Sequence, residues 1–103
     1  MSDALCKLSL VFPSDLEDQI VDELLSHPEW VQGFNLWRVD GRGRGLVYRT
    51  VSEKVRGRAD RLRTESVIDR GAAAALVEHL GALFPNPEIF WWIEPIDAFG
   101  RFA

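Results

Sequence analysis

Stretches of period-two alternation and stretches of helical periodicity follow one another here in an order that few folds accommodate. From Leu5 to Phe12 (LCKLSLVF), Cys6, Leu8, Leu10 and Phe12 point one way and Leu5, Lys7, Ser9 and Val11 the other, a strand with one strongly apolar face. Pro13 ends it. Ser14-x-x-Glu17 has the form of a capping box, and Asp15 puts negative charge at the positive end of a helix dipole, so a helix is expected from Ser14. Its buried stripe is Leu16, Ile20 and Leu24 with Val21 and Leu25, and Ser26-His27-Pro28 stops it. A second strand, Gly33 to Val39, sets Phe34, Leu36 and Arg38 against Asn35, Trp37 and Val39. A third, Arg61 to Asp69, sets Leu62, Thr64, Ser66 and Ile68 against Arg61, Arg63, Glu65, Val67 and Asp69. An alanine-rich helix begins at Asp69 or Gly71 and runs to about Phe84, burying Leu76, Val77, Leu80, Leu83 and Phe84. Pro85-Asn86-Pro87 breaks it, and Glu88 to Glu94 (EIFWWIE) is a last strand closed by Pro95.

The order βαββαβ predicts an α+β domain of ferredoxin-like type: a four-stranded antiparallel sheet with two helices on one face. A chain of 103 residues suits a single domain, residues 1–103. The last strand adds a constraint. Ile89, Trp91 and Ile93 can face the helices, but Phe90 and Trp92 must then face the side that such a domain leaves open. A large apolar patch there marks an interaction surface, which closed symmetric association would cover. The alternative is that the tail, with Phe99 and Phe102, folds across it.

No apolar run approaches the roughly 20 residues that span a bilayer, so no membrane insertion is expected. The opening MSDALCKLSL has no basic stretch before a long apolar core, and Cys6 is the single cysteine, so a cytoplasmic location is expected.

Charge is segregated. Of the twelve basic residues, nine fall between Arg38 and Arg63, where Asp40, Glu53 and Asp60 alone oppose them, for a local net of +6 in a chain of net −4. The connection between strands two and three is too long for an ordinary hairpin, and long excursions that are not disordered are commonly functional. It has its own order signals: Thr50-x-x-Glu53 is a second capping box, Val51 to Arg56 suits a short helix, and Gly57 suits its C-terminal cap. Arg42, Arg44, Arg56, Gly57, Arg58, Arg61 and Arg63 are the candidate binding residues for a small anionic ligand or an acidic partner, since paired guanidinium groups fork onto phosphate or carboxylate. A solvated loop paired with acidic helices of a neighbouring subunit is the equal alternative. Gly41-Arg42-Gly43-Arg44-Gly45 lacks the Lys-Ser/Thr end of a phosphate-binding P-loop and is not a dinucleotide fingerprint.

These residues resemble a known group. VDGRGRG at the end of strand two, the long connection, and EIFWWIEPI resemble the PII signalling superfamily, in which a glycine-containing turn opens a long T-loop. The run LVFP, VDELLSHPE, GFNLW, SEKVRGRADRLR and WWIEP resembles more closely a small PII-like bacterial family, domain of unknown function 3240, which tends to be encoded beside heavy-metal efflux systems of the RND type. The resemblance implies a cytoplasmic regulatory or adaptor protein, a homotrimer with effector clefts between subunits, whose T-loop (here residues 40–60) docks on a membrane transporter or enzyme. It implies Gly41, Gly43 and Gly45 as the loop's opening turn and Gly57 as its return. The second glycine-rich loop of PII proteins corresponds here to FPNPEIF, with two prolines and no glycine, and the basic C-terminal motif is reduced to Arg101. An amide cradle for nucleotide phosphates is therefore not expected from that loop, and no cofactor is specified.

Other classes fare worse. Cys6, His27 and His79 are isolated in sequence and on different elements, with no CxxC or HxxxH spacing, so no metal site within one subunit is expected; a metal sensor with a site shared between subunits is one alternative. Cys6 reads as a buried small apolar residue. Ser9, Ser52 and Ser66 lie in no nucleophile motif, so no enzyme is expected. An RNA-recognition module is the other alternative, but it stacks bases on aromatics of strands one and three, and strand three here has none. No nucleic-acid partner is expected.

Overall fold

In the computed structural model, residues 5–43, 50–57 and 59–102 are described, and they form the expected α+β architecture. Strand β1 (Leu5–Pro13) is followed by helix α1 (Glu17–Leu25), strand β2 (Asn35–Gly41), short helix α2 (Val51–Arg56), strand β3 (Ala59–Asp69), helix α3 (Arg70–Leu83) and strand β4 (Phe90–Pro95). The sheet order is β2-β3-β1-β4 and every neighbouring pair is antiparallel. Arg44 and Arg58 lie outside the described residues, as do Gly45, Arg49 and the side chain of Arg56.

The central pair fixes the two faces. Along β1–β3, Leu5 opposes Asp69 and Pro13 opposes Arg61 without a bulge, and the same parity continues into β4, where Leu10 opposes Trp91 and Val11 opposes Phe90. Cys6, Leu8, Leu10 and Phe12 therefore share the helix-covered face with Leu62, Ile68, Trp91 and Ile93, and the first six of these are buried. Ile20 and Leu24 of α1 and Ala73, Leu76 and Leu80 of α3 close that core. Removing a side chain of this kind, as in Phe12→Ala, costs about 3–5 kcal/mol.

Several local details depart from the periodicity. Ser14, Asp15 and Leu16 form a turn of 3-10 helix, so the Ser14 capping box does not form; the Ser14 carbonyl instead accepts the Glu17 N–H inside the turn. With Pro13 held in the sheet opposite Arg61, the chain has only these residues in which to reverse. Leu25 and Leu83 are exposed rather than buried. Each is its helix's last residue; Leu25 is turned off the line of Ile20 and Leu24, whereas Leu83 continues the line of Leu76 and Leu80 past the buried core. The tail reaches only one end of the open face. It leaves β4 at Pro95, beside Cys6, while Phe90 lies at the opposite end beside Val11. Phe99 borders a shallow cavity with Leu5 and Val67, and Phe102 stays fully exposed.

Between β2 and β3 the expected short helix is present with both caps. The Thr50 hydroxyl accepts the Glu53 N–H (3.0 Å), the Glu53 carboxylate accepts the Thr50 N–H (3.3 Å), and Gly57 takes the left-handed conformation at φ 68°. Glu53 is buried, and its second oxygen accepts the Asp60 N–H at the start of β3. One carboxylate thus caps α2 and ties it to the sheet. Glu53→Ala should cost about 1–3 kcal/mol, the value of buried donors left unpaired. Hydrogen exchange should show the Thr50 and Asp60 amides losing protection while the β1 amides keep theirs.

Candidate functional site

The sheet face away from the helices is where the basic segment meets the aromatic residues. By register, Trp37 opposes Arg63 across β2–β3, Val11 opposes both Arg63 and Phe90, and Ser9 opposes both Glu65 and Trp92. The Arg63 guanidinium is held between two indoles, 5.2 Å from the Trp37 ring centroid and 4.9 Å from that of Trp92. Cation–π attraction of this kind contributes about 0.5–1 kcal/mol at exposed sites. Arg63 also donates to Glu65 (3.2 Å), and Lys7 lies 3.4 Å from both Glu65 and Glu94. The Trp92 indole N–H donates to Glu94 at 2.9 Å. Under this cover Ser9 is fully buried, and the Ser9 Oγ and Arg63 Nε are the two buried side-chain polar atoms without a hydrogen bond among the described residues.

The other sequence-nominated residues are spread along the base of the connection. Arg61 projects from the same face as Arg63 but is buried, donating to the Glu88 carbonyl (3.4 Å) and lying 3.7 Å from the Glu88 carboxylate. Its aliphatic stem passes over Gly41, where an added Cβ would come within 3.0 Å of Cγ. Arg42 is exposed just beyond β2, and Gly43 has φ 139°, a conformation that favours glycine. Gly57 closes α2. Arg38 points to the helix side, 3.7 Å from Glu17. The exposed aromatics of the open face sit on the edge strands β2 and β4, and the central strands carry none there.

Sequence spacing did not bring out a second grouping. His27, just past α1, and His79, within α3, meet across the helix layer with their rings 4.6 Å apart, and Glu23 joins them. Because the two histidines are far apart in sequence and on different elements, only the packing of α1 beside α3 could reveal it. Glu29 holds the His27 imidazole above its usual value by accepting from Nδ1, and the His79 ring holds the Glu23 carboxyl below its own. Cys6, by contrast, is core: burial pushes its thiol up, and it has no access to solvent.

The Trp92 N–H, and after it Lys7, hold the Glu94 carboxyl below the usual carboxylate range. A carboxylate with a depressed folded value contributes stability that is fully present above its unfolded value, about 4.3, and lost as the pH falls through the folded one. Glu94→Gln should therefore melt below wild type at pH 7. Thermal scans should show the gap closing as the pH falls below about 4.

A family model described as "Protein of unknown function (DUF3240)" matches residues 1–103. The crystal structure of a DUF3240 family protein from Shewanella baltica OS155 is 26% identical with a TM-score of 0.76, covering 100% of both chains. A nitrogen regulatory PII-like protein from Thiomonas intermedia K12, solved with ADP, AMP and bicarbonate, is 15% identical with a TM-score of 0.69, over 95% of this chain and 96% of that one. A candidate PII-like signalling protein from Thermus thermophilus is 20% identical with a TM-score of 0.61, over 89% of this chain and 85% of that one. No curated protein matches. The antiparallel sheet order and the two helices are thus a PII-like fold, and the chain belongs to the DUF3240 family of proteins of unknown function.

Proposed function

We propose that this protein is a PII-like regulatory adaptor, a homotrimer associated through the open sheet face, that uses the basic connection between β2 and β3 to read a small anion and to dock on a partner. The observation that carries this reading is the position of the charge. Nine of the twelve basic residues lie in or beside the connection between β2 and β3, and α2, tied to β3 through Glu53, gives that connection an ordered return. The PII-like fold supports a regulatory rather than an enzymatic role. A structurally similar protein holds ADP, AMP and bicarbonate, so those anions are the first effectors to consider. The ligand set is Arg42, Arg44, Arg56, Gly57, Arg58, Arg61 and Arg63. Among its described members, Arg61 and Arg63 are tied to Glu88 and Glu65 and form the base of the set. Val51 and Val55 of α2 are exposed, which suits a docking role for the same segment. The partner, by resemblance, is a membrane transporter of the metal-efflux kind. The location is cytoplasmic, and none of the described helices is long and apolar enough to cross a membrane.

The trimer rests on Phe90 and Trp37, which expose large apolar area on the open face, and on a tail that does not cover Phe90. Light scattering should give three times the mass of one chain, and Phe90→Glu should give monomers that keep the wild-type circular dichroism. A wild-type monomer at micromolar concentration would remove the trimer.

Thermal shift with AMP, ADP, bicarbonate and phosphate tests the anion. A ligand at 100 times its Kd adds about 2.7 kcal/mol, which raises the melting point of a domain this size by upward of roughly 10 °C. Arg42→Ala/Arg58→Ala should abolish the rise and leave the unliganded melting point unchanged. If no anion stabilises the protein, the small-ligand reading fails and docking by the segment remains.

A further inference from the structure

The helix layer holds a set of donors that the basic segment does not touch and that the reading above does not need. Glu23 lies in the last turn of α1, His27 just beyond the end of that helix, and His79 on α3. The Glu23 Oε1 is 2.8 Å from His79 Nε2 and 3.5 Å from His27 Nε2, and one donor atom from each of the three residues falls within 4.8 Å of the others. We propose that Glu23, His27 and His79 bind one divalent first-row transition cation per chain, with Zn2+ as the reference ion.

Four features support a metal rather than a set of ion pairs alone. Donors held about 2.0–2.1 Å from a tetrahedral ion are separated by roughly 3.3 Å, so the observed spacings need only small side-chain adjustments to close on one centre. The His27 Nδ1 is engaged by Glu29 Oε2 at 3.0 Å, which fixes the ring with Nε2 directed toward Glu23. A carboxylate behind a ligating imidazole is the usual outer support of such a ligand. The Trp30 indole stacks on the His27 ring at 4.7 Å and meets the His79 ring edge-on at 5.5 Å, giving the donors an apolar wall that holds both imidazoles in place. The three side chains keep 23–31% of their surface exposed, enough for an ion to enter and to keep water in the remaining position. Two imidazoles and one carboxylate select a borderline ion such as Zn2+, Cu2+ or Ni2+, whereas Mg2+ and Ca2+ favour oxygen-only sets.

The competing role is mechanical: protonated histidines pairing with Glu23 would tie α1 to α3 with no ion involved. Titration calorimetry of the full, tag-free chain with Zn2+ at pH 7.5 separates the two, supported by the visible absorption of bound Co2+ and its loss on adding Zn2+. The expected result is one ion per chain, with at least a tenfold loss of affinity in Glu23→Gln, His27→Gln and His79→Gln alike. Glu29→Gln should weaken binding by about 10–100-fold through the orientation of His27, and Cys6→Ser should leave it unchanged. Circular dichroism confirms that each variant folds; if His79→Gln does not, Glu23→Gln, which keeps the side chain's size and hydrogen bonding, carries the test. Absence of Zn2+ binding, a stoichiometry of one ion per three chains, or wild-type affinity in a His27→Gln/His79→Gln double variant would each overturn the site.

Discussion

Everything in this domain hangs on the pairing of β1 with β3. It runs unbroken from Leu5–Asp69 to Pro13–Arg61 and is the most extensive contact between elements. Because side chains alternate along a strand, that register decides which residues both central strands give to the helices and which they give to the other face. Cys6, Leu8, Leu10 and Phe12 share the core face with Leu62 and Ile68 only in this register; a slip of one residue would put either Lys7 or Arg63 on that face. An uncompensated charge there costs several kcal/mol, so the apolar pattern of β1 enforces the pairing.

The same register assembles the open face. It brings Trp37 and Trp92, from opposite edge strands, to either side of Arg63, and sets Lys7 between Glu65 and Glu94. The face is neither a plain apolar patch nor a solvated one. Its charges are neutralised in place and its Arg63 guanidinium lies over aromatic rings, which lowers the cost of removing it from water. Arg61 extends this order to the rim, where it links the start of β3 to Glu88 ahead of β4 and needs the bare backbone of Gly41 beneath it.

On the other side of the sheet, packing α1 beside α3 produced a juxtaposition with no local signature. Glu23 and His27 are one helical turn apart, an ordinary spacing for a surface ion pair. His79 turns it into a three-donor cluster only because α3 lies alongside, and Trp30 and Glu29 support it from the segment just after α1.

The sequence by itself determined the order of elements, the two-faced β1, the capped α2 and its Gly57 terminus, and the concentration of positive charge between β2 and β3. All of these are written in neighbours: period-two alternation, the Thr50–Glu53 spacing and the glycine that tolerates positive φ act over a few residues. Ser14–Glu17 shows the limit of that logic, because the same capping pattern yielded to the turn that Pro13 imposes from within the sheet. Only the tertiary structure decided that Arg61 is buried against Glu88, that Arg63 lies between two tryptophans, that Leu25 and Leu83 run past the core, and that His27 meets His79. Each of these depends on contacts between residues distant in sequence, and side-chain spacing along one element carries no information about what another element brings beside it.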